Sequence, residues 1–381
     1  MTVTLPPLAS GARPFSEYAA LTADAIRERT WLAKRSLGRR VVILGHHYQR
    51  ESVMEFADLR GDSLKLSQLA AAQERADFIV FCGVHFMAES ADVLRRPHQT
   101  VLLPDLKAGC SMADMADLEH VEEAWDRLLD RHGDTILPVT YMNSTAALKA
   151  FCGRHGGVVC TSSNARAVLE WAWAQKQRVL FFPDQHLGRN TAFAMGVRLE
   201  EMAEWEYRAH DLDTVNARAF AADTRLILWR GWCSVHTKFH PSQIDEVRAA
   251  DPNAKVLVHP ECPFEVVQHA DRVGSTEYII RQVDQAPPGT HWAIGTEIHL
   301  VHRLALEHPE QEIHSLQKNV CPCATMNRID PAHLLWTLEN LAEGVVVNPI
   351  RVPEEDRVLA KAALDRMLSL SAAAGSTMSG D

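Results

Sequence analysis

The sequence predicts an α/β protein of three homologous αβα units, each built on a small parallel sheet. Three observations predict this. Apolar runs of strand length recur in sets of three, a helical stretch separates the first two members of each set, and the same polar markers follow in the same order. The units are expected to sit about a pseudo-threefold axis with one site at the centre, because ligands of parallel sheets bind beyond the carboxyl ends of the strands.

The first set of runs covers residues 41–44, 78–81 and 100–103. The second covers 135–139, 178–182 and 226–229, and the third 255–258, 292–294 and 312–314. Helical spacing fills 64–75, 165–176 and 277–283, so each set reads strand, helix, strand, helix, strand, as crossover connections require. The domain boundaries that follow are an N-terminal arm with one helix at 1–35 and units at 36–128, 129–240 and 241–350. An insert near 189–222 interrupts the second unit. Leu334, Leu335, Leu338 and Leu341 have helical spacing. Residues 351–381 read as a C-terminal helix and a flexible tail, with disorder expected over 371–381, where Ala, Gly and Ser predominate.

Composition excludes several classes of protein. The chain of 381 residues is 46% apolar and 23% charged, which excludes wholesale disorder and a fibrous rod. No apolar run approaches the roughly 20 residues that span a bilayer, so no membrane association is expected. The first residues lack a basic segment followed by an apolar stretch, and a cytoplasmic protein is expected. A net charge of −10 argues against a nucleic-acid binder, since no broad positive field attracts phosphate backbones. No glycine fingerprint for dinucleotides or nucleoside triphosphates occurs.

The polar markers carry the chemistry. The first strand of each unit runs into Gly45-His46-His47-Tyr48, Tyr141-Met142-Asn143 or His259-Pro260-Glu261. A small-residue helix opening comes next: Gly61-Asp62-Ser63, Thr161-Ser162-Ser163 or Gly274-Ser275-Thr276. Helix N-termini present unpaired N–H groups and a positive dipole end, which suit a carboxylate or phosphate. Ser63, Ser162 and Thr276 would equally serve as simple helix caps. A cysteine follows the third strand each time: Cys110, Cys233, and Cys321 or Cys323.

Eight cysteines without a secretory signal argue against a disulfide framework. Cys82 and Cys160 lie in or beside apolar strands and read as packed core thiols. Three single thiols converging from three units would suit an iron–sulfur cluster or zinc, and three ligands instead of four would leave one metal position open to substrate. The pair Cys321-Pro322-Cys323 also fits a redox couple or half of a zinc knuckle, although a second close pair is lacking.

These segments resemble the quinolinate synthase family, iron–sulfur enzymes of NAD biosynthesis. The resemblance rests on Gly45-His46-His47-Tyr48-Gln49, Gly61-Asp62-Ser63, Lys107-Ala108-Gly109-Cys110-Ser111, Tyr141-Met142-Asn143-Ser144-Thr145-Ala146 and Pro183-Asp184-Gln185-His186-Leu187-Gly188. Cys233-Ser234-Val235-His236, Val258-His259-Pro260-Glu261, Val273-Gly274-Ser275-Thr276 and Cys321-Pro322-Cys323-Ala324-Thr325-Met326-Asn327 extend it.

The resemblance implies a pseudo-threefold fold, and condensation of iminoaspartate with dihydroxyacetone phosphate to quinolinate, phosphate and water. It implies a [4Fe-4S] cluster on Cys110, Cys233 and Cys321, the last because the family's ligand lies six residues before the Asn at 327. It further implies that His46, Ser63, Tyr141, Met142, Asn143, Ser162, His236, His259, Pro260, Ser275 and Thr276 bind substrate. Glu261 would be a general base and Tyr48 its proton-handling partner. Transient contact with the oxidase that makes iminoaspartate is a further expectation. Two other readings stand beside it: a cluster-dependent hydro-lyase acting on one small acid, and a non-enzymatic iron–sulfur sensor.

Overall fold

The computed structural model describes residues 9–318 and 320–377. The chain forms two compact units, Met1–Cys110 with Cys321–Val352 and Ser111–Val320 with Pro353–Asp381. After α1 (Ser16–Ala19) and α2 (Ala23–Leu37), the first repeat runs β1 (Val41–His46), α3 (Glu51–Met54), β2 (Leu59–Gly61), α4 (Ser63–Ala72), β3 (Phe78–Cys82), α5 (His85–Leu94) and β4 (Thr100–Leu102). Helix α6 (Leu118–His132) leads to the second repeat: β5 (Ile136–Tyr141), α7 (Ala146–Arg154), β6 (Val158–Cys160), α8 (Ala165–Gln175), β7 (Arg178–Phe182) and α9 (Gln185–Ala194). The insert then supplies β8 (Met202–Trp205) and α10 (Leu212–Val215) before β9 (Leu226–Trp229). Helix α11 (Pro241–Ala250) opens the third repeat: β10 (Lys255–Val258), α12 (Phe264–His269), β11 (Arg272–Val273), α13 (Thr276–Asp284), β12 (His291–Gly295), α14 (Ile298–Glu307) and β13 (Glu312–Ser315). Helix α15 (Pro331–Ala342), β14 (Pro349–Ile350) and α16 (Glu354–Thr377) finish the chain.

The three sheets share one strand order. It is β4-β3-β1-β2 in the first, β9-β7-β5-β6 in the second and β13-β12-β10-β11 in the third, and every pair in these series is parallel. Two sheets gain a fifth strand on the same border: antiparallel β14 on β4 and parallel β8 on β9. The central strands β1 and β5 are buried along their whole length, which is why they read as unbroken apolar runs instead of alternating ones. The α/β class and the repetition are therefore as the sequence predicts. Strands β2, β6 and β11 were not predicted, since two or three residues give no periodicity.

Capping fixes where the crossover helices begin. Asp62 accepts from the Lys65 N–H, Asp184 from Leu187 and Ser275 from Tyr278, while Glu297 caps α14 by accepting from His299. Ser63 and Thr276 are thus the first helical residues instead of the caps, and Ser162 lies in the turn that leads to α8. Helix α16 packs on α7 and β6, close enough that a side chain at Gly153 would run into the Leu359 carbonyl. Contrary to the expected disorder, residues 371–377 continue α16, and residues 378–381 lie outside the described residues. In the first unit α2 packs on α15, with Tyr18, Ile26, Leu335 and Trp336 at the seam. Each such buried side chain contributes about 1.5–3 kcal/mol.

Candidate active site

The carboxyl ends of β5 and β10, both in the second unit, deliver Tyr141 and the loop His259-Pro260-Glu261. The strand β10 is buried by a core of Val256, Val258, Val266, Ala293 and Phe239, and it ends where its polar residues begin. Past β9 the chain supplies Cys233 and a short 3-10 turn, His236–Lys238. These segments meet. His236 Nδ1 lies 2.6 Å from a Glu261 carboxylate oxygen, and its Nε2 lies 3.1 Å from Thr296 Oγ1. A carboxylate only accepts, so Nδ1 carries the proton of the first bond. Tyr141 also hydrogen-bonds to Glu261.

Glu261 is 3% exposed and His236 1% exposed, so this network is shut off from solvent. Burial alone would push the Glu261 carboxyl up. The neighbouring His259 and His236, with hydrogen bonds from His236 and Tyr141, overcome that and hold it down at about 2. Burial, followed by the charge of His236, lowers His259 to about 3. Behind Glu261 sits Asp184, wholly buried, whose carboxyl is pushed well up by burial and by the Glu261 charge.

The donor atoms of Cys233, His236 and Glu261 lie within 4.8 Å of one another, close enough to hold a metal ion together. The residue after Cys233 also matters: Ser111 Oγ, next in the chain to Cys110, lies 3.4 Å from Ser234 Oγ. The eight thiols sort into two groups, with no disulfide among the described residues. Cys82, Cys152, Cys160 and Cys262 are buried, and burial pushes each thiol far up, out of thiolate chemistry. Cys110, Cys233, Cys321 and Cys323 are half-buried or exposed, in the loops after the third strands.

The first unit makes its own assembly. His46 is 3% exposed at the end of β1, accepts from the Tyr48 N–H at 3.1 Å, and meets the Tyr48 ring edge-on. From the same loop Gln49 and Arg50 donate to the carbonyls of Met326 and Asn327, at 3.0 and 2.7 Å. Arg328 bonds to Asp105 at 2.8 Å, so the segments carrying His46, Cys110 and Cys321-Pro322-Cys323 are tied together. Ser63 opens α4 and is half-buried.

Local register bears on the cysteine pair. The 3-10 turns Ala113–Met115, His236–Lys238 and Met326–Arg328 begin three residues after Cys110, Cys233 and Cys323 respectively. Helices α6, α11 and α15 begin eight residues after the same cysteines. The Thr237 N–H donates to Cys233 O, and the Asn327 N–H donates to Cys323 O in the same way.

Comparison with known proteins fits this arrangement. The family model for quinolinate synthetase A protein matches residues 30–369. Quinolinate synthase of Halalkalibacterium halodurans is 56% identical over 351 residues, covering 92% of this chain and 95% of that protein. The chain belongs to the quinolinate synthase family. Those of Geobacillus kaustophilus and Bacillus subtilis are 54% and 52% identical, each covering 93% of this chain and 96% and 95% of theirs. A quinolinate synthase family member is an enzyme of NAD biosynthesis, and the donor group around Cys233 suits the metal binding typical of the family. Among the described residues no helix is long and apolar enough to cross a membrane.

Several side chains around this site escaped the sequence reading. Thr296 completes the His236 network, and Asn190 of α9 donates to the carbonyls of both Pro260 and Cys262 at 2.8 Å, fixing the Glu261 loop. Lys149 of α7 is fully buried beneath Met142 and Ser144. A lone Lys inside the apolar helix Ala146-Ala147-Leu148-Lys149-Ala150 was the available signal. Ser275 and Thr276 stand at the opening of α13, both buried, and Asn143 is half-buried with its Oδ1 shielded from solvent.

Proposed function

We propose that this chain condenses iminoaspartate with dihydroxyacetone phosphate, releasing quinolinate, phosphate and two waters. The observation that carries the reading is the buried Tyr141–Glu261–His236 network beside the Cys233 thiol at the ends of two parallel sheets. Such a network serves a substrate that must gain and lose protons next to a metal. In this reading Glu261, ionised at rest, takes up the substrate's proton as part of its pair with His236, whose Nδ1 bond orients the ring. Tyr48 handles the second proton. His46, Ser63, Tyr141, Asn143, Ser162, His259 and Thr276 hold carboxylate or phosphate groups, and Met142, His236, Pro260 and Ser275 also contact substrate.

The sulfurs fit a [4Fe-4S] cluster, since the half-buried loop cysteines stand apart from the four sealed thiols. Cys110 and Cys233 would be two ligands, supported by the contact of Ser111 with Ser234. The resemblance favours Cys321 as the third, whereas the shared register of turn and helix favours Cys323, which we adopt. When bound, the group supplies an open iron that polarises a hydroxyl leaving group. Reduced thiols suit a cytoplasmic enzyme. Because iminoaspartate hydrolyses in water, transient hand-over from the oxidase that forms it belongs to the same reading.

The test is anaerobic incubation of the reconstituted protein with both substrates, iminoaspartate being formed from oxaloacetate and ammonium. Quinolinate should appear only with dihydroxyacetone phosphate present, alongside about four irons per chain. Turnover of a small acid without the triose phosphate would favour a hydro-lyase. A cluster without any turnover would favour a sensor.

A further inference from the structure

Lys149 is 0% exposed, and its Nζ donates to Met142 O at 2.9 Å and Ser144 O at 2.5 Å. A buried ammonium is costly and survives only where strong acceptors meet it. Here the acceptors are the carbonyls on either side of Asn143. In a trans peptide the C=O and the N–H of the same unit point in opposite directions. Drawing Met142 O and Ser144 O towards Lys149 therefore turns the N–H groups of Asn143 and Thr145 the other way. The Met142 N–H is occupied by Cys160 O and the Ser144 N–H by Met142 O, so the loop has little freedom to rotate these peptides back. The loop continues β5, whose carboxyl end already presents Tyr141 to Glu261.

We infer that Lys149 is a positioning residue for substrate anions: it aims the Asn143 and Thr145 N–H groups at a carboxylate or phosphate, and its charge favours that anion from behind the loop. This rests on the proposed substrates and deepens that reading by naming what fixes their charged ends. In a chain with a net charge of −10, a sealed positive charge beside the site offsets the general repulsion of polyanionic substrates.

The test uses cluster-loaded protein and the probe quinolinate, measured by equilibrium calorimetry so that no turnover is needed. Lys149→Gln keeps a donor and loses the charge, whereas Lys149→Met loses both. With iron content and circular dichroism as in the wild type, Lys149→Gln should weaken quinolinate binding about 10-fold and Lys149→Met about 100-fold, in line with loss of charge-assisted hydrogen bonds. KM for both substrates should rise more than kcat falls. Native-like variants that bind quinolinate as tightly as the wild type overturn the inference. If both variants fail to fold, lysine-labelled wild type decides: the Lys149 ε-carbon resonance should shift on quinolinate addition, and a static resonance overturns the proposal. Lys149-dependent quinolinate binding without quinolinate synthesis would sink the proposed reaction and leave this inference standing.

Discussion

The imidazoles of His236 and His259 lie face to face, ring centroids 4.4 Å apart and planes 14° from parallel. Two stacked, buried rings cannot both be charged cheaply, and His259 is the one that stays neutral, held down at about 3 by burial and by its neighbour. Within the stack His236 makes the short 2.6 Å bond to the Glu261 carboxylate, while His259 Nδ1 accepts the Glu261 backbone N–H at 3.3 Å.

That asymmetry predicts how acid affects stability. An unfolded His titrates near 6.5, whereas His259 and His186 titrate at about 3 and about 4 in the fold, chiefly through burial. A depressed imidazole lets the unfolded chain take the proton first, so its contribution is intact above about 6.5 and is lost as pH falls. The unfolding free energy from urea titration should drop between pH 6.5 and 5, by up to about 1.4 kcal/mol per pH unit per histidine. His186→Gln should flatten that slope, and an unchanged slope would contradict the assignment.

Glu261→Gln removes the negative charge and one of the two acceptor oxygens offered to His236 and Tyr141 but keeps the volume. Quinolinate formation should fall about 10²–10⁴-fold with iron content unchanged. A parallel loss of iron would instead make Glu261 a ligand of the metal.

The Asn190 clamp gives a separate handle on the same loop. Asn190→Ala leaves two buried carbonyls, of Pro260 and Cys262, without their donor. It should lower unfolding stability by about 1–3 kcal/mol, read by denaturant titration, and reduce kcat through a misplaced Glu261.

The two cysteines of the Cys-Pro-Cys pair should separate cleanly. Cys323→Ser is expected to lose most sulfide and iron after anaerobic purification, while Cys321→Ser keeps both. The reverse result would return the ligand to position 321.

What the sequence reveals and conceals follows from size and burial. Strands β1, β5 and β10 were legible because burial on both faces leaves unbroken apolar runs. The short strands β2, β6 and β11 were not, since two or three residues carry no periodicity and their extended form rests on pairing with β1, β5 and β10. Tyr141, His236, His259 and Glu261 were legible as polar residues punctuating strand ends. Thr296 was not, because a threonine after β12 is an ordinary loop residue until His236 arrives from 60 positions away. Taking Ser63 for a cap overlooked Asp62, whose carboxylate reaches the helix N–H first.

The extra strands β8 and β14 come from outside the common pattern, one from the insert before β9 and one from the segment after α15, while β13 carries neither among the described residues. The three copies are thus alike in their interior and individually hemmed at the margin. Exchanging one copy for another would graft a sound centre onto the wrong selvedge, so each module suits its own place alone.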